Sequence, residues 1–281
     1  MINWKTYQIS SADLSITLVP AIGGRILSLV FNQQELLFVQ EENRDQIYDF
    51  TGKGLVEEKK RLGFRLWGGD KTWVAPQSAW VLGIPPLELD AGQYDVVQHD
   101  DALIMTSPIC RETGLQIIRN VRLVHQSIYL TETIINQALT PRSCGVWNVS
   151  QIKRPCRFIV AAAPTGFRSY HHEDKTLPVV SEPIYLDGSV VVDCQGDQMF
   201  KYGGMPLEGK VVTEIPTTDN RMISWIRTFA MDKTMPYAHR SAVEFFNSPD
   251  YPYAEAEVHA PQVCLKQGES TSLSQCWTFT V

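Results

Sequence analysis

Leu14-Ser15-Ile16-Thr17-Leu18-Val19-Pro20-Ala21-Ile22-Gly23-Gly24-Arg25-Ile26-Leu27-Ser28-Leu29 is the stretch that decides the fold class of this chain. Leu14, Ile16 and Leu18 alternate with polar neighbours, the period of two that a strand with one buried face requires. Pro20 and the Gly-Gly pair interrupt that pattern, and an apolar run resumes over Arg25 to Phe31. No helical stripe follows the two glycines, so they predict a tight strand-to-strand turn and not a phosphate-binding loop.

The same period returns along the chain. Leu273, Trp277, Phe279 and Val281 alternate with Ser274, Cys276, Thr278 and Thr280. Further strands are predicted at Ala102 to Thr106, Leu115 to Leu123, Ile128 to Asn136, Val190 to Val192, Lys210 to Ile215, Arg221 to Phe229 and Tyr253 to His259. No segment carries a sustained 3.6-residue apolar stripe with a cap before it and Gly after it, which excludes long helices. Sixteen prolines and eighteen glycines fit a chain with many turns. No internal repeat or Ser/Gly linker divides the sequence, so residues 1–281 read as a single domain. Two polar excursions are expected, at Glu41 to Lys60 and around Tyr170 to Pro183. Many antiparallel strands hide their edges best as two facing sheets, so the pattern predicts an all-β fold, a large antiparallel β-sandwich.

Composition limits the function. Of 281 residues, 44% are hydrophobic and 20% charged, the balance of a globular chain. The 25 Lys and Arg residues are scattered and the net charge is -6, so no basic stripe offers itself to nucleic acid. No stretch approaches the ~20 apolar residues of a membrane span, and Met1 to Ser10 lacks the apolar run of a signal peptide. Cys110, Cys144, Cys156, Cys194, Cys264 and Cys276 show neither a C-x-x-C pair nor zinc spacing, and predict reduced thiols in a cytoplasmic protein.

Three segments carry chemistry. In Phe64-Arg65-Leu66-Trp67-Gly68-Gly69-Asp70-Lys71-Thr72-Trp73-Val74-Ala75-Pro76-Gln77-Ser78-Ala79-Trp80, three tryptophans stand among Arg65, Asp70, Lys71 and Gln77. Indole rings stack on the apolar faces of sugars while such charged and amide groups pair with the hydroxyl rim. Gly-Gly and Pro are expected to break any regular element here. Core tryptophans beside surface charges would give the same composition, but Asp70 and Lys71 would be costly to bury without partners. In Gly145-Val146-Trp147-Asn148-Val149-Ser150-Gln151, Trp147 and Gln151 fall on one strand face, as a stacking surface with a hydrogen-bonding amide or as core. In Tyr253-Ala254-Glu255-Ala256-Glu257-Val258-His259-Ala260-Pro261, Glu255 and Glu257 share a face, either towards a pocket or towards solvent. His239 lies just upstream. The adjacent pair His171-His172 points oppositely on any strand and has no third ligand nearby in sequence, so no metal and no cofactor is expected.

These segments together resemble the galactose mutarotase-like superfamily. The P-x-x-G-G-R-I hairpin at Pro20, the G-G-D-K-T-W-x-A-P-Q loop, the Asn136-to-Gln151 strands and the E-x-E-x-x-x-P strand followed by L-x-x-G-E-S come in that family's order. The resemblance implies the family's supersandwich and a sugar or sugar derivative as the partner, held by Arg65, Asp70, Lys71, Trp73, Gln77, Trp147 and Gln151. It also implies aldose 1-epimerase chemistry, in which a base takes the anomeric proton and an acid protonates the ring oxygen. Glu257 matches the base, expected to be ionised near the ordinary carboxylate pKa, with Glu255 competing. Trp147 stands where the family carries its acid histidine, which leaves His239 or Lys71 as the substitute. A non-catalytic carbohydrate-binding protein on the same fold is the alternative.

Overall fold

Residues 4–52, 54–99, 101–170 and 176–281 are described by the computed structural model. The alternation at the start of the chain becomes the strand Leu14–Val19, with Leu14, Ile16 and Leu18 buried and Ser15 and Thr17 half-buried. It turns through a short 3-10 segment at Pro20–Ile22, and Gly23 and Gly24 take φ of 78° and 61° before Arg25–Phe31 returns antiparallel. Those left-handed angles strain any residue with a Cβ, which is why the turn carries two glycines.

Among the described residues the strands form two antiparallel sheets, of eleven and ten strands. The first carries, side by side, Asp70–Ala75, Arg142–Lys153, Tyr253–His259, Val243–Asn247 and Phe200–Gly204. The second centres on Met222–Phe229, Ser270–Thr280, Ser127–Asn136 and Leu115–Val124. The C-terminal strand pairs on both sides, and its Trp277 packs edge-on against Trp225 at 4.9 Å. One apolar cluster fills the space between the sheets and draws on residues from Leu14 to Phe279.

That space also holds a buried polar cluster. Ser150 Oγ and Asn148 Nδ2 donate to Asp70 Oδ2 at 2.7 and 2.9 Å, the Arg119 guanidinium pairs with the other oxygen, and Glu132 lies 3.4 Å from Arg119. Arg227 donates to Ser150 Oγ at 3.1 Å. All six side chains are buried, so each charge relies on these partners.

Helix is confined to short pieces. Leu55–Leu62 begins in the first expected excursion and runs two residues past its end, and Leu87–Ala91 packs beside the Asp70–Ala75 strand. The Phe64-to-Trp80 segment departs from expectation: the regular strand Asp70–Ala75 runs through its middle. Gly68 makes this strand's entry feasible, because a Cβ there would meet the Phe38 carbonyl oxygen at 2.1 Å. His171 and His172 lie outside the described residues. No helix among the described residues is long and apolar enough to cross a membrane.

Candidate functional site

On one face of the first sheet the strand period gathers a set of polar and aromatic side chains. Val149 pairs with Lys71 on one side and Glu257 on the other, and Glu257 pairs with Glu244. In the row to one side Trp147 pairs with Trp73 and His259, and in the row to the other side Gln151 pairs with Glu255. Side chains opposite one another across a ladder share a face, so Lys71, Trp73, Trp147, Gln151, Glu255, Glu257, His259 and Glu244 all project outward from the sandwich core.

The same alternation turns Asp70 the other way. It is buried between the sheets with Arg119, Ser150 and Asn148, so the structure removes it from the expected sugar contacts. Arg65 is also elsewhere: its guanidinium lies over Tyr48 at 5.1 Å and over Trp67 at 5.7 Å, in a separate apolar cluster. Gln77 is exposed and meets the site only through its main chain, whose N–H donates to His239 Nε2 at 3.3 Å.

Three indoles form the floor. Trp147 stacks against Trp80 at 5.5 Å and against His259 at 5.1 Å, and Trp73 meets Trp147 edge-on at 5.0 Å. Trp73 is fixed by its Nε1, which donates to Asp90 Oδ1 at 2.7 Å. Lys71 Nζ lies 3.8 Å from the Trp73 ring and 5.1 Å from the ring of half-exposed Phe64. This ammonium is buried and has no hydrogen-bond partner among the described residues. Burial drives its pKa down to about 8, and neighbouring Arg25 acts in the same direction.

At the other end, Glu257 accepts from Trp147 Nε1 at 2.7 Å and from Lys201 Nζ at 3.2 Å. Lys201 also pairs with Glu244 Oε2 at 2.7 Å, bridging the two carboxylates. Burial opposes the lysine's charge, but Glu244 and Glu257 outweigh it and hold the ammonium above its ordinary range. Burial pushes the Glu257 carboxyl up to about 8, and Lys201 counters this only in part because Glu244 and Glu255 add repulsion. That corrects the expectation of a carboxylate ionised in the ordinary range. Burial also opposes ionisation of Glu244, yet Lys201 and then His259 overcome it and hold its carboxyl well below the usual range. Gln151 Nε2 donates to Glu255 Oε1 at 2.8 Å.

His239 reaches Glu244 and not Glu257, with Nδ1 2.9 Å from Glu244 Oε1. It arrives on a turn whose His239 and Arg240 take φ of 55° and 56°, a conformation costly for residues with side chains. The Tyr170 hydroxyl lies 2.7 Å from the same carboxylate oxygen. Its ring crosses Gly203, where a Cβ would come within 2.5 Å of it. Lys201 and His239 keep 18% and 19% side-chain exposure while Glu244 and Glu257 keep none, so these two side chains roof the carboxyl groups.

Lys201, Glu244 and His259 are the residues that sequence reasoning missed. Phe200-Lys201-Tyr202 and Val243-Glu244-Phe245 each place one charge inside an apolar strand, the available signal, but only the ladder shows that both face Glu257.

No established family's sequence profile matches the chain, and no curated protein matches its sequence. Solved structures do match. A galactose mutarotase-like protein from Lactobacillus casei superposes with a TM-score of 0.66 at 10% identity, covering 98% of this chain and 100% of that one. A candidate aldose 1-epimerase from Escherichia coli K12 gives 0.63 at 14% identity, covering 99% of each chain. A galactose mutarotase related enzyme from Lactobacillus acidophilus gives 0.61 at 11% identity, with 99% and 98% covered. The chain therefore has the galactose mutarotase-like fold. Fold alone does not assign an activity, which must come from the site.

Proposed function

We propose that the protein binds a monosaccharide or sugar derivative on this face and exchanges its anomers by acid-base ring opening. The supporting observation is that Lys71 and Glu257 flank Val149 on one outward face, with Trp73 and Trp147 beside them. Two ladder spacings separate their backbones by roughly 10 Å, a span comparable to a hexose with its hydroxyls. The indoles stack on the apolar face of the sugar, and Gln151, Glu255 and Lys201 meet its hydroxyls.

In the proposed reaction Glu257 takes the proton from the anomeric hydroxyl while Lys71 donates one to the ring oxygen. The bond from the anomeric carbon to the ring oxygen breaks, the open-chain aldehyde turns, and the hydroxyl reattacks the other face as both protons return. A base whose pKa is raised towards neutrality and an acid whose pKa is lowered towards it are matched to this exchange. His239, engaged with Glu244, takes a positioning role in this scheme.

A second reading is a sugar-binding protein without chemistry. It is favoured by Trp147, whose Nε1 already satisfies Glu257 and whose ring fills the space beside the carboxylate. Proton NMR of freshly dissolved α-aldoses separates the two. Wild type accelerates anomer exchange, and Glu257→Gln keeps the shape while losing about 10²- to 10⁴-fold of the acceleration. If tryptophan fluorescence reports saturable binding and no aldose or sugar phosphate exchanges faster, the second reading replaces the first.

A further inference from the structure

Opposite Lys71, beyond Glu257, the site contains a cluster that takes no part in the proton transfers of ring opening. His239, Glu244 and His259 come from a turn and two adjacent strands, and one ligand atom from each lies within 4.8 Å of the others. Glu244 Oε1 is 2.9 Å from His239 Nδ1 and 3.5 Å from His259 Nε2. His259 is buried, and among the described residues neither of its ring nitrogens makes a well-formed hydrogen bond, the contact of Nε2 with Glu244 being 3.5 Å long. A buried imidazole left in that state forfeits its desolvation cost, so the site is built for a group that engages it.

We propose that His239, Glu244 and His259 form a binding site for a divalent cation of the zinc class. Two imidazoles and one carboxylate are a donor set for zinc, and metal–ligand bonds of ~2 Å place tetrahedral ligand atoms ~3.3 Å apart. The two measured separations bracket that spacing. The carboxylate divides its oxygens: Oε2 faces Lys201 at 2.7 Å, and Oε1 faces the histidines. Charge points the same way, since among the described residues the carboxyl groups of Glu244, Glu255 and Glu257 gather here beside one ammonium, Lys201. A divalent cation compensates what Lys201 leaves.

In the structure His239 Nδ1 meets Glu244 while the main-chain N–H of Gln77 meets Nε2. Coordination through Nδ1 moves the single ring proton from Nδ1, where it meets Glu244, to Nε2, so the main-chain N–H of Gln77 loses its acceptor and the Gln77–Ala79 turn is displaced. Trp80, which follows that turn, reports the displacement.

The full chain, stripped with EDTA, is titrated with Co²⁺ while visible absorption and tryptophan fluorescence are followed, and Zn²⁺ is then added as competitor. One equivalent of Co²⁺ with the absorption of a four- or five-coordinate ion, displaced by Zn²⁺, is the expected result. Loss of a supporting partner costs about 10- to 100-fold in metal affinity, and loss of a ligand in His259→Ala or Glu244→Gln must cost at least as much. His239→Asn, on a partly exposed turn, covers the case in which a buried substitution fails to fold. Absence of a saturable Co²⁺ spectrum in wild type, or affinity unchanged in a folded His239→Asn or His259→Ala protein, overturns the assignment. The readout does not depend on any sugar, so it stands or falls separately from the proposed reaction.

Discussion

Replacing Lys71 with Met should make the protein more stable at neutral pH. Lys71 Nζ is enclosed by Trp73 and Phe64 and has no hydrogen-bond partner among the described residues, and burial lowers its pKa from 10.5 to about 8. A tenfold change in proton affinity is worth about 1.4 kcal/mol, so holding the charged amine in the folded state costs about 3 kcal/mol below pH 8. Methionine occupies a similar volume without the charge, at the loss of a cation–π contact worth about 1 kcal/mol. The net expectation is a gain of about 2 kcal/mol at pH 7, a rise in melting temperature of roughly 4–8 °C for a chain of this size. The sign of the pH dependence follows from the lowered pKa. The cost to wild type is complete below about 8, shrinks as pH rises, and vanishes above 10.5, where both states hold a neutral amine. Urea denaturation of both proteins at pH 7 and pH 10 measures this. A gain that is absent at pH 7, or equal at both pH values, refutes the account of Lys71 as an uncompensated buried charge. Under the proposed function the same variant also loses anomer exchange, because stability and activity pull this position in opposite directions.

Two further substitutions test the frame around the site. Arg119→Met removes the ion-pair partner of buried Asp70 and leaves its carboxylate only the more distant charge of Arg227, so it should cost about 3–5 kcal/mol in urea denaturation. Gly203→Ala puts a methyl group into the Tyr170 ring and pushes its hydroxyl away from Glu244, at a cost of about 1–3 kcal/mol read by thermal melting. If Gly203→Ala melts as wild type does, the close approach of Tyr170 is not needed.

The strands were legible because alternation is a local property. Leu14 to Leu18, Arg25 to Phe31, Ala102 to Thr106 and Tyr253 to His259 announce one buried face each, and each folds as a strand. The period of two likewise placed Trp147 with Gln151, and Glu255 with Glu257, on common faces. What it could not supply was the choice of face. Asp70 and Lys71 are adjacent, equally charged in magnitude and equally hidden, yet one is turned into the sandwich to Arg119 and the other outward over Trp73. That choice depends on which residues stand opposite on neighbouring strands, and Ser150 and Val149 come from about eighty residues away. Tertiary structure alone brought Lys201 and Glu244 to Glu257 and His259, since the strands Phe200–Gly204 and Val243–Asn247 must come into register with Tyr253–His259 before their charges can meet. The pKa of Glu257 was decided there too: Glu255 is a sequence neighbour, but the burial, the Lys201 ammonium and the Glu244 carboxylate that move it come from the packed fold.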